Sequence, residues 1–252
     1  MTESLRRAVI FLAGALGLAG AVPAAAQSYA VMSLVGDRLT IVQPRVTVGS
    51  NVDRNVRHEV PTPDDSLDAI AVQAADAAIK RVKPGATTTL FTTRDTKLFA
   101  LQEALLDADG ISPELAESLK ELLAQSKASH LVLITKQRAE AKMRFHSETA
   151  GVGRLAGLGY YVDRHSVLKN DDNGHRSTGF YAPYAYLRYS VIDAATLRTL
   201  RQSSLRDSQV VVSDPTSIHN AWQTTTPEQR VQSLHELLRR AVDAATAQLI
   251  GA

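Results

Sequence analysis

The chain has 252 residues and nearly balanced charges, with 28 Lys and Arg against 26 Asp and Glu. This balance, without any block of basic residues, excludes the electrostatic pattern of a nucleic-acid-binding protein. The sequence contains no Cys, which excludes disulfides, thiolate nucleophiles, cysteine-ligated metals and a lipid attached to a cysteine. The length suffices for one domain with a substantial hydrophobic core.

The first 26 residues have the pattern of a secretory signal peptide. Arg6 and Arg7 precede an apolar run, AVIFLAGALGLAGAV (residues 8–22), and Ala24 to Ala26 offer an A-x-A cleavage site before Gln27. The apolar run is short for a membrane-spanning helix, which disfavours the alternative of a retained anchor. We therefore expect residues 1–26 to be removed and the mature chain to be periplasmic, with no transmembrane segment.

Apolar spacing and turn residues predict alternating strands and helices after the signal peptide. In chain order these are a hairpin of YAVMSLV (29–35) and RLTIV (38–42), a helix ended by Lys83-Pro84-Gly85, strand TTTLFTT (87–93), a helix over 95–107, a helix from Pro113, strand HLVLITK (130–136), strands YAYLRYSVID (184–193) and RTLRQSSL (198–205), and a helix from Pro227.

This order predicts an α/β fold. We expect residues 27–252 to form a single three-layer domain with a mixed sheet, in the order β-β-α-β-α-α-β-loop-β-β-α, with an antiparallel hairpin at one edge. Residues 147–180, rich in Gly and Tyr, are expected to form a long loop before that hairpin.

Several motifs in this segment formally match known sites. Gly151-x-Gly153-x-x-Ala156 matches the dinucleotide fingerprint, but GLGYYV follows it and no helix opens there, so we expect no nucleotide cofactor. Ser166-x-x-Lys169 lacks the companion motifs of penicillin-binding enzymes. Asp171-Asp-Asn-Gly174 has the composition of a turn, with a loose calcium site as the alternative. We expect no cofactor.

Six of the seven tyrosines fall within residues 160–189. Tyr184 and Tyr186 share one face of their strand, opposite Leu187 and Tyr189, and exposed tyrosines on that face would favour a protein interface. Packing beneath another element is the alternative. The predicted partner-binding residues are Gly151, Gly153, Gly157, Gly159, Tyr160, Tyr161, Tyr184 and Tyr186. The alternative site is a metal centre built from His146, His165, His175, Asp163 and Asp171.

Three segments resemble a group of bacterial envelope domains. They are YAVMSLV (29–35), LLAQSKASHLVLITK (122–136) and LRYSVIDAATLRTLRQ (187–202). The group includes the curli-secretion lipoprotein, the N-terminal domain of the Tol-system periplasmic protein, and lipoprotein activators of peptidoglycan synthases. The last segment resembles their strand, Asp-x-x-Thr-Gly, strand pattern through Asp193 and Thr196. Leu197 replaces the glycine, which predicts a different turn.

The resemblance implies a non-enzymatic adaptor or assembly protein of the cell envelope that binds an envelope protein or itself. The alternative is a metal-dependent envelope hydrolase or a small-ligand-binding protein that uses the histidines and aspartates of residues 146–175. The residues alone do not decide whether the protein is an enzyme, although the resemblance favours a protein that is not.

Overall fold

A computed structural model describes residues 27–45, 53–107, 111–145, 148–169, 176–213 and 220–251. The predicted signal peptide lies outside these residues. The strands are β1 (Ser28–Ser33), β2 (Arg38–Gln43), β3 (Val56–Pro61), β4 (Thr87–Phe91), β5 (His130–Lys136), β6 (Arg138–Glu140), β7 (Met143–Phe145), β8 (Glu148–Ala150), β9 (Arg154–Lys169), β10 (Arg176–Asp193), β11 (Thr199–Ser208) and β12 (Val211–Val212). The helices are α1 (Ser66–Val82), α2 (Thr96–Glu103), α3 (Pro113–Ser126), α4 (Ala221–Thr224) and α5 (Pro227–Gly251).

The main sheet is mixed, which confirms the predicted α/β class. β1 lies between β4 and β5 and is parallel to both, whereas β10 is antiparallel to β5 and β9. β10 has 18 residues, so its C-terminal part pairs with β5 and its N-terminal part pairs with β9. This one long strand therefore joins a parallel half of the sheet to a second half built from β9, β2 and β3.

Helices cover both faces of the parallel half. The apolar residues of α1 and α5 pack on one face with Val31, Val132 and Tyr189. Those of α2 and α3 pack on the other face with Met32 and Leu133. The stripe of apolar residues along each helix faces the sheet, as expected for amphipathic helices, and the result is the predicted three-layer arrangement.

A third hydrophobic cluster lies on the α2/α3 side of the sheet, at its β9–β10 end. The segment from β6 to β8 folds over that face and contributes Ala139, Ala141 and Met143. Opposite them lie Tyr184 and Tyr186 of β10. The β6–β8 segment thus covers a face that would otherwise be open to water.

The predicted hairpin of residues 29–42 is wrong. β1 pairs with β4 and β5, and β2 pairs with β3 and β9. After β1 the chain continues in the same direction as β2, which lies beside β9 as β1 lies beside β5. A Gly-Asp pair between two apolar runs indicates a change of direction, but it does not determine which strands pair.

The predicted loop over residues 147–180 is also wrong for most of its length. Residues 154–169 and 176–180 belong to the paired strands β9 and β10, and residues 148–150 form β8. The central part of β9 is buried on both faces, so it lacks the alternation of polar and apolar residues that identifies a half-buried strand.

The turn between β10 and β11 keeps a glycine-like backbone although it contains no glycine. Asp193 Oδ1 accepts hydrogen bonds from the N–H and the hydroxyl of Thr196, both at 2.8 Å. Leu197 has a φ of 56°, in the left-handed region. Leu197 therefore adopts a conformation for which glycine is favoured, and a turn different from that of the group stays a prediction.

Candidate functional site

The tyrosines predicted to face solvent are buried. Tyr161, Tyr184 and Tyr186 are at most 1% exposed, and Tyr160 is 5% exposed. Burial raises the pKa of all four hydroxyls above the usual value. The expectation of an exposed tyrosine face is wrong. The β6–β8 segment and β2 cover Tyr161, Tyr184 and Tyr186, and Trp222 packs against Tyr160 on the other face of the sheet, which strand periodicity does not reveal.

Three of these tyrosines hold neighbouring segments in place through their hydroxyls. Tyr184 donates a hydrogen bond to the Thr40 carbonyl at 3.2 Å. Tyr186 and Tyr161 accept hydrogen bonds from the N–H groups of Lys142 and Val152, both at 3.0 Å. Each hydroxyl therefore joins β9 or β10 to the chain that covers it.

Two of the predicted glycines lie in β9, and two flank a turn before it. A Cβ on Gly159 would collide with the Thr40 carbonyl and lie 2.8 Å from the Tyr184 hydroxyl oxygen. Gly157 has a φ of +65°, and the Lys136 side chain fills the space beside it. Gly151 and Gly153 flank Val152, which is 49% exposed. Val152 is the accessible part of this glycine-rich segment.

The alternative metal site stays a prediction. His146, His175 and Asp171 lie outside the described residues. Asp163 accepts hydrogen bonds from the N–H groups of His165 and Ser166 at 2.8 Å and from the Ser166 hydroxyl at 2.7 Å, so it stabilises the part of β9 where the pairing with β10 shifts register. Within the part of the chain that the structure describes, no group of three His, Asp or Glu side chains is placed to hold a metal.

A charged cleft of about 90 Å³ lies where β5 ends and β9 begins. Its position is notable because open α/β sheets commonly bind ligands at the carboxyl ends of parallel strands. The charged residues that line it are Arg38, Arg57, Lys136, Arg138, Arg154, Glu59 and Glu103. These residues come from five strands and one helix, and no local motif in the sequence joins them. We call this feature the charged cleft.

Lys136 forms the floor of the charged cleft. Its side chain is 6% exposed and its ammonium group is paired with Asp37 and, at 3.4 Å, with Glu103. Arg38 also binds Glu103, at 2.5 Å, and Glu59, at 3.1 Å. Burial alone would lower the pKa of Arg38, but the hydrogen bond that Arg38 donates to Glu103 and the surrounding carboxylates raise this pKa above the usual value. The floor is thus a fully paired ionic network.

The backbone around this floor is fixed by a buried amide. Gln102, at the end of α2, donates to the Leu34 carbonyl at the end of β1 and accepts from the Lys136 N–H at 3.1 Å. It is fully buried. Because buried backbone groups without partners are costly, this side chain ties α2 to the adjacent strand ends that carry the cleft.

The rim of the charged cleft is basic and accessible. Arg138 on β6 and Arg154 on β9 both contact the carboxylate of Asp107, at 2.6 and 3.4 Å. The Asp107 side chain is 48% exposed. Arg138 donates a hydrogen bond to one carboxylate oxygen, and Arg154 forms an ion pair with the other, so two guanidinium groups share one oxyanion. We call these three side chains the rim site.

No protein-family model and no curated protein matches the sequence. Solved structures with a similar fold include a neuraminyllactose-binding hemagglutinin homolog from Helicobacter pylori, at 9% identity and a TM-score of 0.42, over 89% of this chain and 86% of that one. A PelC dodecamer from Paraburkholderia phytofirmans has 9% identity and a TM-score of 0.33, over 91% and 92%. Lipoprotein GNA1162 from Neisseria meningitidis has 9% identity and a TM-score of 0.28, over 90% and 99%.

These likenesses concern the fold of bacterial proteins, and no argument about function rests on them at such TM-scores. The narrower resemblance to the curli-secretion and Tol-system group stays a prediction. Across the described helices, none combines the length and the apolar character needed to cross a bilayer.

Proposed function

We propose that this chain is an exported binding protein of the bacterial cell envelope. It recognises a partner protein by an acidic segment that enters the charged cleft. Export rests on the signal-peptide pattern of residues 1–26. The recognition of a carboxylate rests on one observation: Arg138 and Arg154 both form ion pairs with the Asp107 side chain.

Asp107 marks the position that a partner's carboxylate would take. The rim site is solvent-exposed, and exposed ion pairs contribute roughly 0–1 kcal/mol. Displacement of Asp107 by an incoming carboxylate therefore costs little, while the two guanidinium groups keep an oxyanion between them. A partner with several acidic residues would also reach Arg57 deeper along the cleft wall.

The turn formed by residues 151–153 contributes to the proposed contact surface, because Val152 is exposed and lies close to Arg154 in the sequence. The Val152 carbonyl accepts a hydrogen bond from the Asn55 side chain at 2.6 Å, and Arg154 follows two residues later. Asp53 holds the Arg154 N–H at 2.9 Å and the Arg57 side chain at 2.5 Å. The buried Tyr161 hydroxyl accepts a hydrogen bond from the Val152 N–H, so it positions this turn without forming part of the contact surface.

Isothermal titration calorimetry with a short polyglutamate peptide tests the proposal. We expect the double variant Arg138→Gln/Arg154→Gln to weaken binding at least about tenfold, which corresponds to about 1.4 kcal/mol. The matched control is Arg81→Gln/Arg240→Gln, which removes the same charge from two surface ion pairs elsewhere. The control is expected to bind like the wild type.

Two results would count against the proposal. Equal weakening in the two double variants would mean that only net charge matters. Equal binding of a polyglutamine peptide would mean that the carboxylates are not recognised. Circular dichroism checks that both double variants fold, which is expected because all four arginines are partly exposed.

A further inference from the structure

Among the described strands, β3, β4 and β11 lie at the edges of the sheet and differ in their protection against pairing with another chain. β3 carries Arg57, Glu59 and Pro61, and β11 carries Arg201 and Arg206. Charged residues and proline are the usual means by which an edge strand avoids pairing with another chain. β4 has the sequence TTTLF, with no charge and no proline, and among the described strands it pairs only with β1.

The outer edge of β4 offers backbone groups in a defined pattern. The Thr87 N–H donates to the Gln27 carbonyl at 3.1 Å, on the β1 side. Alternate residues of a strand point their N–H and C=O groups the same way, so Thr89 and Phe91 also face β1. Thr88 and Leu90 therefore direct their N–H and C=O groups away from the sheet, and the Leu90 side chain is 39% exposed.

We propose that β4 pairs with β4 of a second copy of this chain, antiparallel and about a twofold axis through Thr89. In this register Thr88 of each copy lies opposite Leu90 of the other. Each such pair then forms both of its N–H···O=C bonds, so every outward-facing backbone group of the strand is used. A closed twofold contact of this kind is the commonest arrangement of homo-oligomers.

The charges in and beside β4 do not oppose its pairing with a second copy of the chain. The strand itself is uncharged, so a self-pairing of this kind places no like charges opposite one another, which would be destabilising. Lys83 precedes β4 and Asp95 follows it. In the antiparallel register, Lys83 of one copy is therefore on the same side as Asp95 of the second copy. Arg94 precedes Asp95, so the flank after the strand is neutral overall and does not repel Lys83.

Analytical ultracentrifugation of the purified protein tests the inference. The wild type is expected to show a concentration-dependent dimer. Leu90→Pro removes an outward N–H and leaves the β1 side of the strand paired, so it is expected to raise the dimer dissociation constant at least about tenfold. Leu90→Lys is expected to act in the same direction because a lysine on an edge strand opposes pairing.

Leu200→Lys is the matched control, because Leu200 is a 42% exposed leucine on the charged edge strand β11. It is expected to leave the dimer unchanged. A wild type that stays monomeric, or equal loss of the dimer in Leu90→Lys and Leu200→Lys, would overturn the inference. Thermal unfolding of each variant distinguishes loss of the dimer from loss of the fold.

Discussion

The carboxylate of Asp68 is buried beneath the chain that leads from β1 to β2. It accepts hydrogen bonds from the N–H groups of Val35 at 2.9 Å and Gly36 at 3.1 Å. A Cβ on Gly36 would lie 2.6 Å from its Oδ2 atom, so only glycine allows this approach. Of the next two residues, Asp37 pairs with Lys136 and Arg38 lines the charged cleft, so one buried side chain positions the chain that supplies both.

Burial raises the pKa of Asp68 to about 6, although the N–H groups of Val35 and Gly36 oppose the shift. The unfolded chain has an ordinary Asp pKa of about 3.9. Between those values the folded state keeps a proton that the unfolded state has lost. The free energy of unfolding therefore rises as the pH falls from about 6 to about 4, by up to about 3 kcal/mol from this group.

Urea unfolding of the wild type and Asp68→Asn at pH 7, 5 and 4 measures this contribution. The wild-type value minus the variant value is expected to increase toward pH 4 by about 2–3 kcal/mol. Since other carboxylates titrate equally in both proteins, their effect cancels in the difference. A difference that stays constant or shrinks toward pH 4 would show that the fold does not raise the pKa of Asp68.

Among the elements, β9 decides how the second half of the sheet is assembled. It pairs with β10 along most of its length, with β2 on its other edge, and with β6 at its start. The absence of a side chain at Gly159 lets the Thr40 backbone come close and leaves space for the Tyr184 hydroxyl. Glycine within a strand commonly marks such a close approach.

Gly159→Ala is expected to destabilise the fold by at least about 2 kcal/mol, because the new methyl group meets backbone that cannot move without unpairing β2. Gly85→Ala serves as the control, since a Cβ there has no atom within 4 Å. It is expected to be neutral or stabilising by up to about 1 kcal/mol. Chemical denaturation measures both; similar values for the two variants would contradict the close packing described at Gly159.

The elements that the sequence predicted well are those with a strong local signal. The apolar spacing before Lys83-Pro84-Gly85 predicted α1, Ser112-Pro113 located the start of α3, and HLVLITK matched β5. β9 escaped prediction because both of its faces are buried and its glycines resemble those of a loop. Strand pairing was also missed, because the partners of β2 are determined by contacts distant in sequence.

On the scale of the whole molecule, the charged cleft depends on the way β10 joins the two halves of the sheet. Lys136 belongs to the parallel half, whereas Arg57 and Arg154 belong to the second half. Residues more than one hundred positions apart thus line one cleft. The sequence could not predict it, because charged residues dispersed along five strands have the same pattern as an ordinary solvated surface.

The central claim, that the rim site binds a partner's carboxylate, is tested most directly by removing the carboxylate that occupies it. Asp107→Asn frees Arg138 and Arg154 from an internal competitor, so polyglutamate is expected to bind several-fold more tightly than to the wild type. Asp243→Asn removes the same charge from the ion pair with Arg81 on a different surface, and its affinity should stay at the wild-type value. Calorimetric titration compares the three proteins. Unchanged or weaker binding by Asp107→Asn, or equal tightening in Asp243→Asn, would contradict the claim.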